Sequence, residues 1–246
     1  MLKVLDLFSG IGGFSLGLER TGGFETVAFC EIEPFPRKVL AKHWPGVPIY
    51  DDVSTLEHSG PVDLVTAGFP CQDISIANQN ATGLTGKRSR LFWHILQTVC
   101  MVGRPRKKKK NVAELLNRGM GAILGSLASL GYDAQWHCIP SSAVGGSQER
   151  DRLWIIANPA EKRATGLLTS ANISAARQGR KGGKAHLRDI ADSPFERGYC
   201  HAQPLLCGMA SRIPGRVDRV GACGNTVDPQ IPELIGNAIL QTIGEV

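Results

Sequence analysis

The feature of this sequence that most constrains its fold is an alternation of short apolar segments with longer amphipathic ones. The short segments have the length and composition of buried strands, and the longer ones carry apolar residues at helical spacing. Strands and helices that alternate in this way form βαβ units, in which the strands run parallel and the helices cover both faces. The sequence therefore predicts an α/β fold, with a doubly wound, mostly parallel sheet of the Rossmann-like type.

The individual elements can be placed from the same pattern. The predicted strands are residues 3–8, 26–30, 62–67 and 152–157. The predicted helices are residues 14–20, 36–43, 91–102, 112–130 and 232–243.

Between residues 158 and 212 the alternation breaks down, and Gly, Ala, Ser and Arg dominate the sequence. Basic residues outnumber acidic ones in its first half, which favours a small irregular basic lobe. We therefore divide the chain into a first domain (1–157), a small basic region (158–212) and a C-terminal return to the first domain (213–246).

The charge balance points to a polyanionic partner. The chain has 28 basic and 22 acidic residues among 246, a net charge of +6, and Lys107–Lys110 supply four of these charges. A basic protein of this kind is suited to nucleic acid. No apolar run is long enough to cross a membrane, and the first residues enter a strand pattern at once, so we expect a cytoplasmic protein without membrane contact.

The seven cysteines argue against a disulfide framework and against a zinc site. Their number is odd, they are scattered, and no C-x-x-C pair occurs. Most of them are expected to be small buried hydrophobic residues in a reducing compartment.

A glycine-rich segment, Asp6-Leu-Phe-Ser-Gly10-Ile-Gly12-Gly13, follows the first strand. Glycines at this point let the backbone turn tightly and approach a ligand closely. Glu31 follows the second strand, where an acidic side chain can accept hydrogen bonds from both ribose hydroxyls. The pattern favours a nucleoside cofactor, although an ordinary strand-to-helix turn would leave the same glycines.

A cysteine stands directly after a later apolar strand, in Gly68-Phe-Pro-Cys71-Gln. The carboxyl ends of parallel strands are where α/β enzymes bind ligands, and a helix that starts just beyond Cys71 would lower the pKa of its thiol. An isolated cysteine is more often a buried hydrophobic residue, but the Pro-Cys-Gln context favours a nucleophile.

These two motifs, taken together, resemble the cytosine-C5 DNA methyltransferase family. Further blocks follow in the family's order: Asp52-Val53, the segment from Gly83 to Phe92, Gln148-Glu-Arg150-Asp-Arg152, and Gly224-Asn225-Thr-Val227. The resemblance covers nearly all of the chain outside residues 158–212.

The resemblance implies S-adenosylmethionine as cofactor and double-stranded DNA as partner, with residues 1–157 as the cofactor-binding and catalytic domain and residues 158–212 as the target-recognition region. We also expect no metal and a monomer. Cys71 would be the nucleophile that adds to C6 of a flipped-out cytosine, with Arg152 facing the base and Arg150 supporting the catalytic loop. The implied cofactor-binding residues are Phe8, Gly10, Gly12, Glu31, Ile32, Asp52, Val53, Leu91, Asn225 and Val227.

One block departs from the family. The glutamate that normally precedes Asn111-Val112 is replaced by Lys110, and Lys107–Lys110 occupy the position of a buried strand. Because an unpaired buried lysine is costly, we expect this segment not to insert into the sheet normally. A non-catalytic homologue disabled at Lys110 therefore stays open as an alternative. The same chemistry on transfer RNA is a further alternative, because one branch of the family that this chain resembles methylates transfer RNA.

Overall fold

The computed structural model describes residues 1–68, 91–101, 106–111, 120–144, 152–160 and 225–244. The strands within these ranges are β1 (Leu2–Leu7), β2 (Phe24–Cys30), β3 (Ile49–Tyr50), β4 (Leu64–Ala67), β5 (Arg106–Asn111), β6 (Tyr132–Cys138) and β7 (Leu153–Pro159). The helices are α1 (Gly13–Glu19), α2 (Pro34–His43), α3 (Leu91–Met101), α4 (Met120–Ser129) and α5 (Gln230–Gly244), with a short 3₁₀ turn at Ser141–Val144.

All seven of these strands join one sheet in the order β3-β2-β1-β4-β5-β7-β6. Neighbours from β3 to β5 pair in parallel, whereas β7 runs antiparallel to both β5 and β6. The predicted doubly wound, mostly parallel sheet is therefore confirmed. The strand order reverses between β1 and β4, and in sheets of this type a crevice for ligands opens at the carboxyl ends of the strands at that point.

Helices cover both faces of the sheet, and each face has its own apolar core. On one face, α1 and α5 pack through residues such as Phe14, Leu18 and Ile235. On the other face, α3 and α4 pack through residues such as Phe92 and Ile123. This two-sided burial explains why β4 and β7 are buried along their whole length.

The expectation that the lysine-rich segment would stay out of the sheet was wrong. Arg106–Asn111 forms β5, which pairs in parallel with β4 and antiparallel with β7. The pairing uses backbone N–H and C=O groups, which every residue other than proline offers. The flanking strands already present these groups on both sides, so the segment completes the ladder between them.

Of the other predictions, some agree with the structure, some differ from it and some concern residues outside the described ranges. Strands β3 and β6 were not anticipated, and β7 continues to Pro159, two residues past the predicted end. Residues 112–119 and most of the predicted basic lobe, 161–212, lie outside the described residues. Cys30 is buried as expected, whereas Cys138 is exposed. No helix in the described ranges is long and apolar enough to cross a membrane.

Candidate cofactor and catalytic site

The glycine-rich segment forms a tight left-handed turn between β1 and α1. Phe8, Gly10 and Gly12 all have positive φ angles, of 53°, 55° and 86°. The Gly12 amide donates to the Ser9 carbonyl at 2.9 Å, and the Gly12 carbonyl accepts from the Leu16 amide at 2.9 Å to begin the helix. The turn thus leads directly from the carboxyl end of β1 into the start of α1, beside the crevice beyond the sheet.

Glu31 lies beside this turn at the end of β2. Its Oε2 atom accepts a hydrogen bond from the Gly10 amide at 2.7 Å, and its Oε1 atom accepts one from the Glu33 amide at 2.9 Å. A carboxylate has about four acceptor positions, so two remain for ligand hydroxyls. The next residue, Ile32, is 64% exposed, which leaves an apolar surface beside the carboxylate.

Asp52 and Val53 follow β3 on the same side of the sheet. Oδ1 of Asp52 accepts a hydrogen bond from the Ser54 amide at 2.8 Å, and this bond lowers the pKa of the Asp52 carboxyl. The Val53 side chain is buried in the core on the α3 side. The backbone at this point is therefore anchored, and the Asp52 carboxylate is ionised at neutral pH.

The C-terminal segment closes against the glycine turn from the other side. A Cβ atom added to Gly13 would lie 2.6 Å from the Val227 carbonyl oxygen and 2.8 Å from Thr226 Cγ2. One added to Gly10 would lie 3.4 Å from Thr226 Oγ1. The structure thus brings the segment that contains Asn225 and Val227 next to Gly10 and Gly13, although they are over 200 residues apart in sequence.

A buried polar network that sequence reasoning missed lies directly beneath the turn. The Asp6 carboxylate is fully buried and accepts hydrogen bonds from Thr66 Oγ1 at 2.6 Å and from Ser15 Oγ at 3.0 Å. Burial, opposed by these two hydrogen bonds, raises the pKa of Asp6 to about 7. The signal in the sequence was a single acid within an apolar strand.

Trp44 is a second residue that the motifs did not reveal. A Cβ atom added to Gly12 would lie 2.6 Å from two atoms of the Trp44 ring, so the ring covers the outer side of the turn. Its Nε1 donates to Glu19 Oε2 at 2.8 Å, and Glu19 Oε1 accepts from the Thr26 amide. Trp44 therefore ties the end of α2 to α1 and β2.

The remaining predicted site residues belong to the same edge of the sheet where they are described. Strand β4 ends at Ala67, and the Gly68 amide donates to the Leu7 carbonyl at 3.3 Å. Because β7 is reversed, Arg152 enters it at the carboxyl edge, where Leu153 pairs with Asn111 of β5. Cys71 and Arg150 lie outside the described residues, and Leu91 begins α3.

Comparison with known proteins identifies the family. The model for C-5 cytosine-specific DNA methylases matches residues 2–206. Among curated proteins, the chain is 36% identical over 165 residues to the type II methyltransferase M2.BsuMI of Bacillus subtilis, covering 64% of this chain and 42% of that protein. It is 31% identical over 176 residues to M.Sau3AI of Staphylococcus aureus, covering 63% and 42%. The chain thus spans less than half the length of these relatives.

Solved structures agree on the fold. A prophage-encoded DNA modification methyltransferase (E. coli) is 26% identical, with a TM-score of 0.55 over 65% of this chain and 47% of that one. The S. pombe Dnmt2 methyltransferase, at 20% identity, shares the fold with a TM-score of 0.52 over 65% of this chain and 50% of that one. Since the family model matches most of its length, the chain belongs to the C-5 cytosine-specific DNA methylase family.

Proposed function

We propose that this chain transfers a methyl group from S-adenosylmethionine to C5 of cytosine in double-stranded DNA, with Cys71 as the nucleophile. The observation that carries the proposal is the pairing of the glycine turn with Glu31, through the 2.7 Å bond from the Gly10 amide. The turn follows β1, which lies at the strand-order reversal next to β4, the strand that precedes Cys71 in the sequence.

The residues around the turn fit the cofactor by their chemistry. Glu31 retains acceptor positions for two ribose hydroxyls, and the exposed Ile32 offers an apolar surface for a purine. Phe8, Gly10, Gly12, Asp52, Val53, Leu91, Asn225 and Val227 would complete the binding site. S-adenosylmethionine, when bound, supplies an electrophilic methyl group on sulfur.

In the proposed reaction, Cys71 activates a carbon that is otherwise a poor nucleophile. Its thiolate forms a bond to C6 of cytosine, and the electron pair of the C5–C6 double bond becomes available at C5 to attack the methyl group; the methyl–sulfur bond breaks and S-adenosylhomocysteine is the leaving group. Removal of the C5 proton by a base then restores the double bond and expels the thiolate. Arg152 faces the base in this scheme, and Arg150 supports the catalytic loop.

The proposed substrate is duplex DNA from which one cytosine has been flipped out, because neither C5 nor C6 is accessible to a thiolate within a base stack. The net charge of +6 favours such a partner. The two relatives described above are named type II methyltransferases, and a role in restriction-modification is proposed by analogy. We propose that the protein acts as a cytoplasmic monomer.

A second candidate is favoured by one observation, the lysine at position 110. It stands in β5 at the carboxyl edge, in register with Trp154, where related enzymes carry a glutamate. A charged lysine cannot accept a hydrogen bond, so it cannot hold the N3 edge of cytosine as a carboxyl group would. A homologue that binds cofactor and DNA but methylates slowly, or not at all, is therefore the alternative.

The test separates the two candidates. Isothermal titration with S-adenosylmethionine measures binding, and tritium transfer to random-sequence duplexes and to a transfer RNA pool measures activity and substrate preference. Binding with transfer to duplex DNA supports the proposal, and preference for transfer RNA would replace its substrate. Binding without transfer identifies the disabled homologue, and the absence of binding by folded protein would refute both.

A further inference from the structure

The Asp6 carboxylate is buried at a cost in folding free energy, so folding alone does not explain why an acidic residue stands at this position. It lies near the carboxyl end of β1, two residues before the glycine turn, and is fully buried. An ionised group in such surroundings is unfavourable unless its partners compensate for lost hydration. An apolar residue would fill the same position at lower cost to folding.

The hydrogen bonds of Asp6 join three parts of the candidate site. Thr66 on β4, which donates to Oδ1, lies in the strand that continues to Gly68 and then to the segment of Cys71. Ser15, which donates to Oδ2, lies in the first turn of α1. The Asp6 carbonyl accepts from Ser9 Oγ at 2.6 Å, within the glycine turn. One residue thus holds β4, α1 and the turn together.

The arrangement of these donors favours a carboxylate. Both hydroxyl groups donate to Asp6, one to each oxygen. A protonated carboxyl carries a hydrogen on one oxygen and accepts less strongly there, so the hydrogen bond from one of the two hydroxyls is weakened. Since Ser15 is in the first turn of α1, this change would shift the backbone at Gly12, where the helix begins.

The charged groups around Asp6 act mostly against ionisation. Glu31 at the end of β2 and Glu19 on α1 both raise its pKa, after burial as the largest cause. On β5, Lys108 has the register position beside Thr66. With a pKa of about 7, Asp6 changes its charge in the range where a cytoplasmic enzyme works.

We propose that Asp6, in its ionised form, is a positioning residue that fixes the glycine turn in the conformation that binds S-adenosylmethionine. This inference rests on the proposed function and assigns a further residue to it. It acts through Ser15, Thr66 and the backbone of the turn rather than by touching the ligand. Cofactor affinity therefore rises with pH as Asp6 loses its proton, and the related product S-adenosylhomocysteine follows the same profile because it needs the same turn.

The test is calorimetric titration of both ligands between pH 5.5 and 8.5, with wild type, Asp6→Asn, Ser15→Ala and a control, Ser126→Ala. Ser126 donates to a carbonyl of its own helix, α4, and is half-buried away from the turn, so its removal should change nothing there. The ratio of affinities between wild type and Asp6→Asn at each pH cancels the titration of the ligands themselves.

Between pH 8 and pH 6 the wild-type affinity is expected to fall by up to about tenfold relative to Asp6→Asn, for one coupled proton. Ser15→Ala should move the midpoint to higher pH, because the Ser15 hydrogen bond lowers the pKa of Asp6; this variant carries the test if Asp6→Asn does not fold. Parallel profiles in wild type and Asp6→Asn, an unmoved midpoint in Ser15→Ala, or a pH effect confined to S-adenosylmethionine would overturn the inference. Failure of wild type to bind either ligand at any pH would instead overturn the proposed function, and the inference with it.

Discussion

Helix α5 packs its first turn directly on a glycine of α1, and this contact should be intolerant of a single methyl group. A Cβ atom added to Gly17 would lie 2.1 Å from the Pro229 carbonyl oxygen, 2.9 Å from Pro232 Cβ and 3.0 Å from the Glu233 amide nitrogen. The first and last of these are backbone atoms, which cannot rotate away. Gly17→Ala therefore forces the start of α5 to move away from α1.

The expected cost follows from two opposing effects. Overpacking of a rigid contact costs about 1–3 kcal/mol, and replacing a helical glycine by alanine recovers up to about 1 kcal/mol. Since the closest atom is backbone, we place Gly17→Ala near the upper end, at a net destabilisation of about 2 kcal/mol. The displaced segment includes Val227, which touches Gly13 of the turn, so cofactor affinity should fall as well.

The assay is urea unfolding followed by circular dichroism, with Gly125→Ala as the matched control. Gly125 is an exposed interior position of α4, and an added Cβ there meets nothing within 4 Å. Its substitution should raise stability by about 0.5–1 kcal/mol, through helix propensity alone. If Gly17→Ala were as stable as the wild type, the close packing of α5 on α1 would be wrong.

Four further outcomes are expected. Glu31→Ala should weaken S-adenosylmethionine binding by about 1–3 kcal/mol in calorimetry, through lost hydrogen bonds to a charged group; unchanged affinity would count against the cofactor site. Cys71→Ser should abolish tritium transfer to DNA while leaving cofactor affinity nearly unchanged, because a serine hydroxyl stays protonated; retained activity would exclude the thiolate mechanism. Replacing Lys107–Lys110 by an apolar strand that ends in glutamate should raise both the melting temperature and the methylation rate, and full activity without repair would show that the lysines are harmless. The pKa of Asp6 rises from 3.8 to about 7 on folding, so the folded state binds the proton more tightly than the unfolded state. As the pH rises from about 4 to about 7, the free energy of unfolding of the wild type should therefore fall relative to that of Asp6→Asn, by a few kcal/mol at most. A constant difference across that range in urea unfolding would contradict this expectation.

The elements predicted correctly are those whose sequence carries the periodicity of burial. Strand β4 is apolar because both of its faces are covered, and α5 repeats apolar residues at helical spacing. Strand β6 was not predicted because it lies at the edge of the sheet, where only Tyr132 of its seven residues is buried, so Tyr132–Cys138 contains no apolar run. Strand β3 is only two residues long, too short to leave a pattern.

The site was predictable where local chemistry marks it and hidden where it depends on distant contacts. Glycines and an acidic residue at strand ends predict a turn suited to binding a ligand, and Gly10 and Glu31 do lie together. One partner of the Asp6 carboxylate is Thr66, 60 residues away, and nothing in the local sequence of either residue reveals this pair. The prediction that Lys107–Lys110 would stay out of the sheet was wrong because it considered the charge of the side chains and not the backbone hydrogen bonds that β4 and β7 offer.

The most direct test of the central claim is covalent trapping on DNA. The protein is incubated with S-adenosylmethionine and a random-sequence duplex that contains 5-fluorocytosine, and the products are separated under denaturing conditions. Fluorine at C5 cannot be removed as a proton is, so a cysteine that has added to C6 stays attached after methyl transfer. We predict a protein–DNA adduct that depends on the cofactor and is absent with Cys71→Ser. No adduct from folded protein that binds the cofactor, or an adduct that persists with Cys71→Ser, would contradict the assignment of this chain as a cytosine-C5 methyltransferase acting through Cys71.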